Sequence, residues 1–330
     1  MRRKAMKRYI FVIGLFLIVY GLSIGVPTIQ AQPYPNRPIQ VIIPLAPGSA
    51  LDITGRFLVE ELKKILGTQL IVINKPGASM TLGTDAVVRS KKDGYTIAYT
   101  GASSIVYTLA TNPEIVPYDP FKDLEPLGLA CFLPYVIAVQ ESSPWKTFSE
   151  LIDYAKKNPG KLRVSTAGIG NTTHFALEMI QSLTGAEFTH VPYSGGGDFL
   201  VGALLGGHVE VIIHIASIVI PHVEAGKFRM LLVTPKMPEF PNVPTITELG
   251  YKQDLVTSWL AFYAPAGMPK EVKRVLVPAI ENAVKSPELK RKISKLGFFS
   301  DYRSPSELKK LSIEDYETAL AIAVKIGLRK

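Results

Sequence analysis

From Ile39 onward the sequence alternates between short β-branched apolar runs and longer segments whose apolar residues recur at helical spacing. That alternation excludes all-helical and all-strand architectures. It predicts an α/β protein with mostly parallel sheets, because each strand hands over to a helix that crosses back over the sheet. The predicted strands are 39–43, 69–74, 95–99, 162–167, 188–193, 209–216 and 256–264. The predicted helices are 52–66, 81–90, 149–158, 172–183 and 198–205, followed by a helix-rich tail at 270–285, 287–296 and 306–326. In the first helix Ile53, Phe57, Leu58, Leu62 and Ile65 repeat at helical spacing and Gly67 ends the run. A chain of 330 residues has room for two domains with a sizeable core.

The first 31 residues stand outside this pattern. Arg2, Arg3, Lys4, Lys7 and Arg8, with no acid among them, precede an apolar run from Tyr9 to Val26, then the helix breaker Pro27 and the small residue Ala31. This predicts a signal peptide over 1–31 with cleavage after Ala31, the length of the run leaving an uncleaved membrane anchor as the alternative. The net charge of +9 would suggest a nucleic-acid partner, but without the leader 32 basic residues face 28 acidic ones. A net +4 removes most of that signal, and no nucleic-acid partner is expected. The single cysteine, Cys131, excludes a disulfide framework and a four-cysteine zinc site.

Small residues fill the loops between strands and helices: Pro47-Gly48-Ser49-Ala50, Pro76-Gly77-Ala78-Ser79-Met80, Gly168-Ile169-Gly170-Asn171 and Ser194-Gly195-Gly196-Gly197. Free N–H groups at helix N-termini favour an anion, so four such loops at strand carboxyl ends could line one cleft. Each loop alone is better explained as a tight turn. No Gly-x-Gly-x-x-Gly, phosphate loop or nucleophile elbow is present, so no cofactor is expected. His174 with Glu178, and His208 with Glu210, offer two ligands each but no third, so no metal is expected. Ser165 with His174 would suit a secreted hydrolase, but nothing marks a strained nucleophile.

The motifs resemble, in order, those of Bug-type solute-binding proteins of tripartite tricarboxylate transporters. They are Tyr34-Pro35-Asn36-Arg37-Pro38-Ile39, Pro47-Gly48 with Asp52 and Arg56, Leu66-Gly67, Asn74-Lys75-Pro76-Gly77-Ala78 and Asp93-Gly94-Tyr95-Thr96. The series continues through Asn158-Pro159-Gly160-Lys161-Leu162, His190-Val191-Pro192-Tyr193, Gly206-Gly207-His208-Val209-Glu210, Pro241-Asn242-Val243-Pro244-Thr245 and Ala264-Pro265-Ala266-Gly267-Met268-Pro269.

The resemblance implies a two-lobed periplasmic-binding-protein fold of type II, with a hinge, that closes on a small mono- or dicarboxylate. It implies no enzyme activity, a monomer, a periplasmic location and the membrane subunits of such a transporter as partners; a sensory binding protein is the alternative. Lobe 1 would take 32–132 and 257–330 and lobe 2 would take 133–256, with hinge strands at Phe132-Leu133-Pro134 and Ser258-Trp259-Leu260. The implied ligand-binding residues are Pro47, Gly48, Ser49, Asp52, Ala78, Ser79 and Met80 from lobe 1, and Gly168, Asn171, Thr172, Tyr193 and His214 from lobe 2. Amides of Gly48, Ser49, Ala78 and Ser79 are expected to hold the proximal carboxylate. Three places depart from the family pattern: Ser49 and the Ser79-Met80 pair stand where glycines are common, and His214 where an acid or amide is common.

Overall fold

The computed structural model describes residues 33–193 and 197–329. The predicted leader and loop residues 194–196 lie outside the described residues. From Arg37 onward eleven strands are described: β1 (Ile39–Ile43), β2 (Leu70–Asn74), β3 (Thr96–Gly101), β4 (Leu124–Leu133), β5 (Tyr135–Gln140), β6 (Arg163–Thr166), β7 (Thr189–Pro192), β8 (Val211–Ile215), β9 (Phe228–Thr234), β10 (Ser258–Pro265) and β11 (Phe299–Arg303). The helices that matter here are α1 (Ala50–Leu66), α2 (Thr81–Val88), α3 (Thr108–Thr111), α4 (Phe148–Lys157), α5 (Thr172–Thr184), α6 (Gly197–Leu205), α7 (Ala216–Glu224), α8 (Lys270–Lys285), α9 (Pro287–Ser294) and α10 (Pro305–Lys325).

The strands form two mixed sheets, ordered β11-β4-β10-β3-β1-β2 and β7-β6-β8-β5-β9. β1, β2 and β3 are parallel, as are β6, β7 and β8, which matches the alternation read from the sequence. β10 runs antiparallel to β3 and β4, and β5 antiparallel to β8 and β9. The chain passes from the first sheet to the second within one residue, Pro134, between β4 and β5. Proline has no N–H to give a ladder, so pairing stops there and the chain changes sheets. It returns through residues 235–257.

The local chemistry of α1 explains its placement. The Ser49 hydroxyl caps its start by accepting from the Asp52 N–H, and Gly67, left-handed at φ 62°, ends it. Leu51, Leu58, Val59 and Leu62 face the core. A Cβ at Gly55 would lie 2.6 Å from Ile43 Cδ1 and 2.8 Å from Tyr99 Cδ1, so only glycine lets the helix lie this close to β1 and β3. Trp259 is fully buried at the start of β10 and donates to Asp315 Oδ2 on α10 at 2.8 Å. Burial pushes that carboxyl up to about 7.

Strands β5, β9 and β11 and helices α3 and α7 have no counterpart in the sequence-based elements, and of β4 only the end falls in an expected strand, the hinge strand at 132–134. Residues 124–140 form one long apolar stretch, in which Pro126, Gly128 and Pro134 obscure the period. β4 tolerates them through two register shifts against β10. β11, Phe-Ser-Asp-Tyr-Arg, is an edge strand without an apolar pattern.

Cys131 is fully buried on β4 beside the Tyr99 hydroxyl at 3.4 Å, and burial pushes its thiol up to about 12. Native protein is therefore expected to resist iodoacetamide at pH 8, with one equivalent incorporated only after denaturation, as read by intact mass.

Candidate functional site: loops at the strand carboxyl ends

The loop after β1 is held from behind. Asp52 is 2% exposed; its Oδ2 accepts from the Gly48 N–H at 2.9 Å and from Arg56 Nε at 2.9 Å, and its Oδ1 accepts from Asn74 Nδ2 at 2.8 Å. Burial works to raise its pKa, but the bonds from Arg56, Gly48 and Asn74 outweigh it and hold the carboxyl below its ordinary value. Asp52, expected among the ligand-binding residues, holds the loop from beneath through these three bonds. The Gly48 N–H is spent on Asp52 and the Ser49 N–H on Ala46 O at 3.2 Å. Neither is open to an anion as expected; at this helix start the amides with no described acceptor are those of Ala50 and Leu51. Pro47 and Gly48 are exposed, and a Cβ at Gly48 would meet nothing within 4 Å.

The second loop carries the most strained backbone of the described chain. Ala78, Ser79 and Met80 have φ of 44°, 52° and 74°, three successive left-handed residues with side chains, after Gly77 at φ 138°. Each such residue costs about 1–2 kcal/mol. Thr81 and Thr84 hold the turn by donating to Ala78 O at 2.7 Å and Met80 O at 2.9 Å. Beneath it Thr84, Thr100 and Ser104 form a buried hydroxyl cluster. The N–H groups of Ala78 and Ser79 have no acceptor among the described hydrogen bonds. A Cβ at Gly83 would lie 2.6 Å from Lys75 O and 2.7 Å from Pro44 Cβ, so α2 presses directly on the loop backbone.

In the second sheet, Asn171 caps α5 by accepting from the His174 N–H at 3.0 Å, and Gly168, at φ 124°, lies beside its amide. Thr172, buried, bonds Ser258 Oγ at 3.1 Å, and Tyr135 donates to the same Ser258 Oγ at 2.9 Å. Tyr107 donates to Thr257 O at 2.8 Å and stacks on Phe175 of α5. The α5 N-terminus is thus tied to the start of β10. The first-sheet loop reaches the same place, since Met80 Cε lies 3.7 Å from the Cβ position of Gly101, the partner of Leu260 on β10. Tyr107 and Tyr135 were not foreseen and Ser258 was expected only within a hinge strand; isolated hydroxyls carry no spacing signal, and the turn holding Tyr107 is a short π-helical segment.

Tyr193 is half-buried beyond β7, beside Phe199 and His208. His214 lies on the face of Ile212, opposite Ile213, as strand alternation requires. It is 6% exposed and its Nδ1 accepts from the Ile215 N–H at 2.7 Å. Among the described residues neither histidine–glutamate pair gathers a third ligand. Glu210 is taken by Arg163, and His174 Nε2 stands 3.9 Å from Glu178. Ser165 donates to Val211 O, while His174 Nδ1 accepts from the Gly170 N–H and its ring stacks on His190 at 4.2 Å.

Burial lowers the pKa of His174 and His214, and burial with the neighbouring His174 lowers that of His190 to about 4. All three are neutral in the fold, so the unfolded chain binds protons at higher pH than the folded one. Their contribution is present above about pH 6.5 and is lost as pH falls through the lowered folded values, for His190 about 4. The thermal midpoint is expected to drop between pH 7 and 5, with a shallower slope in His190→Gln.

Two mixed sheets joined by two crossings, with the Ala78–Met80 turn and the α5 start both meeting β10, define a two-lobed solute-binding protein of the type II periplasmic fold. A family model described as tripartite tricarboxylate transporter family receptor matches residues 54–328, and the chain belongs to that family. It is 34% identical over 284 residues to the protein BugT of Bordetella pertussis, covering 85% of this chain and 86% of that one. Among solved structures, a TctC solute-binding protein from Polaromonas superposes with TM-score 0.81 at 28% identity, over 88% of this chain and 99% of that one. A protein of R. palustris with adipate gives TM-score 0.68 at 26% identity, over 89% and 98%. MatC from Rhodopseudomonas palustris, with bound malate, gives 0.64 at 26%, over 88% and 99%. The chain is a receptor, not an enzyme.

Proposed function

We propose that the protein captures a small mono- or dicarboxylate between its lobes and delivers it to the membrane subunits of a tripartite tricarboxylate transporter. The observation carrying this reading is the left-handed Ala78–Met80 turn, which leaves two amides without acceptors at the joint between the sheets. Strain of this kind gathers at ligand clamps, and oriented amides hold an anion without a counter-charge. The adipate and malate held by two relatives agree with it. In this reading Ala78, Ser79, Ala50 and Leu51 supply amides, the Ser49 hydroxyl and the Asn171 amide add donors, and Gly168, Thr172, Tyr193 and His214 face them. Lobe 1 is 32–132 with 257–330, lobe 2 is 133–256, and the mature monomer begins at Gln32 in the periplasm, which N-terminal sequencing tests.

Native mass spectrometry of protein purified without refolding should give the mass of a carboxylate, and calorimetry with that compound then tests the site. Gly48→Val places a branched side chain in the open loop at φ 81° and is expected to weaken binding at least 100-fold. Lys75→Ala should stay within about threefold. A large loss on the lysine change would replace the dipolar site with an ion pair.

A further inference from the structure

We propose that Gly297 and Ser217 are positioning residues that form a stop behind the hinge, a contact that limits how far the cleft opens and so sets how tightly it holds a ligand. This rests on the two-lobed capture read above and adds what limits its movement. Gly297 lies between α9 and β11, with the first sheet; Ser217 is the second residue of α7, with the second. A Cβ at Gly297 would collide with the Ser217 Cβ and lie 2.9 Å from its Oγ and 3.0 Å from its Cα. The last of these is backbone, which cannot swing aside as a side chain does.

The end of a helix accounts for part of this. Gly297 has φ 74° and its N–H donates to Ser294 O at 2.8 Å, as is common for a glycine that follows a helix. Gly67 and Gly185 end α1 and α5 in the same left-handed conformation, yet a Cβ on either would meet nothing within 4 Å. The approach of Ser217 is therefore no requirement of the cap. It is a meeting of two units that belong to different sheets. At Gly170, where those units also approach, the neighbour is the end of a flexible side chain, Leu328 Cδ1 at 3.2 Å, which can give way.

Strand order decides which movement the contact opposes. In β11-β4-β10-β3-β1-β2 the two hinge strands, β4 and β10, lie between β11 and the pair β1 and β2, whose loops at 44–50 and 75–80 belong to the candidate site. Gly297 leads into β11 and stands on the far side of the hinge from those loops. A rotation about the hinge that closes the lobes over the loops parts Gly297 from Ser217; the reverse rotation drives the two together until they touch. A cavity of about 540 Å³, walled by Phe132 and Arg303 of β4 and β11 and by Thr234, Pro235 and Thr257 at the ends of the return segment, leaves room for that movement. Bulk added at the stop biases the ligand-free protein toward closure, and a binding-competent state populated in advance raises the apparent affinity.

Small-angle scattering of ligand-free protein, stripped by unfolding and refolding, and calorimetry with malate and with adipate test this. Ser217→Leu adds bulk on ordinary helical backbone, and Gly297→Ala adds it from the other side. Each is expected to show a smaller radius of gyration than the wild type and to bind whichever dicarboxylate the wild type binds about fivefold more tightly. Adding Ser217→Gly to Gly297→Ala should bring both values back toward the wild type. Gly67→Ala, with left-handed strain but no neighbour, should change neither. An unchanged or larger radius of gyration in Ser217→Leu, or weaker binding, would overturn the stop while leaving the carboxylate receptor standing. Loss of the folded state in both Ser217→Leu and Gly297→Ala would overturn it too, since the contact would then be core packing. If the wild type binds neither compound, the scattering alone decides the stop and the carboxylate reading fails separately.

Discussion

Asp52→Ala is expected to cost about 2–4 kcal/mol of stability and to take ligand binding below detection. The carboxylate is the hub of one loop: without it the Gly48 N–H, the Arg56 guanidinium and the Asn74 amide each lose a partner. The figure stays below that of a fully buried pair because the Arg56 side chain is half exposed and water can replace part of what it loses. Asp52→Asn keeps an acceptor for Gly48 and should cost about half as much. The carboxyl's folded pKa is depressed, so its contribution is present above the unfolded value near 3.9 and disappears as pH falls through the lower folded value. Chemical denaturation at pH 7 and pH 3 of wild type and Asp52→Ala should therefore show the gap between them narrowing in acid. An equal gap at both values would mean that Asp52 acts by packing alone.

Gly83→Val is expected to cost about 3 kcal/mol or more and to weaken ligand binding strongly, because the first atom of the new side chain meets the Lys75 carbonyl and the Pro44 ring, and neither can swing away. Either α2 lifts or the 75–80 loop shifts, and both move the Ala78 and Ser79 amides. Gly67→Ala is the control. Gly67 is left-handed at φ 62° but has open space around its Cβ position, so its substitution should cost only about 1 kcal/mol and leave binding intact. Thermal melts and calorimetry on both variants separate steric exclusion from backbone strain. Similar losses in both would refute the close approach of α2.

The alternation of strand and helix made the parallel parts of both sheets legible, since β1 to β3 and β6 to β8 have clear periods and glycine-rich ends. What stayed hidden depends on contacts distant in sequence. Nothing in the chain near Ser258 announces that its hydroxyl will meet Thr172 and Tyr135, 86 and 123 residues away. The identity of open amides was equally beyond a linear reading. Gly48 and Ser49 looked like free donors, but the Gly48 N–H donates to the carboxylate of a helix residue four places on and the Ser49 N–H to a carbonyl three places back. The left-handed turn was half legible. The resemblance put glycines at 79 and 80, and the backbone keeps a glycine-like conformation with serine and methionine in place.

The single-residue link at Pro134 has a mechanical consequence. Leu133 pairs with Ser258 on one side of it and Tyr135 with Thr234 on the other, so the longer return segment begins and ends beside the same point. If the lobes turn about that point, residues move in proportion to their distance from it, as along a lever. Thr172, bonded to Ser258 beside the fulcrum, would hardly travel, whereas residues on loops far from it would sweep the larger arc. A ligand would then be gripped first at its carboxylate and wrapped at its far end, and the length of that far end would set how far the arms can swing shut.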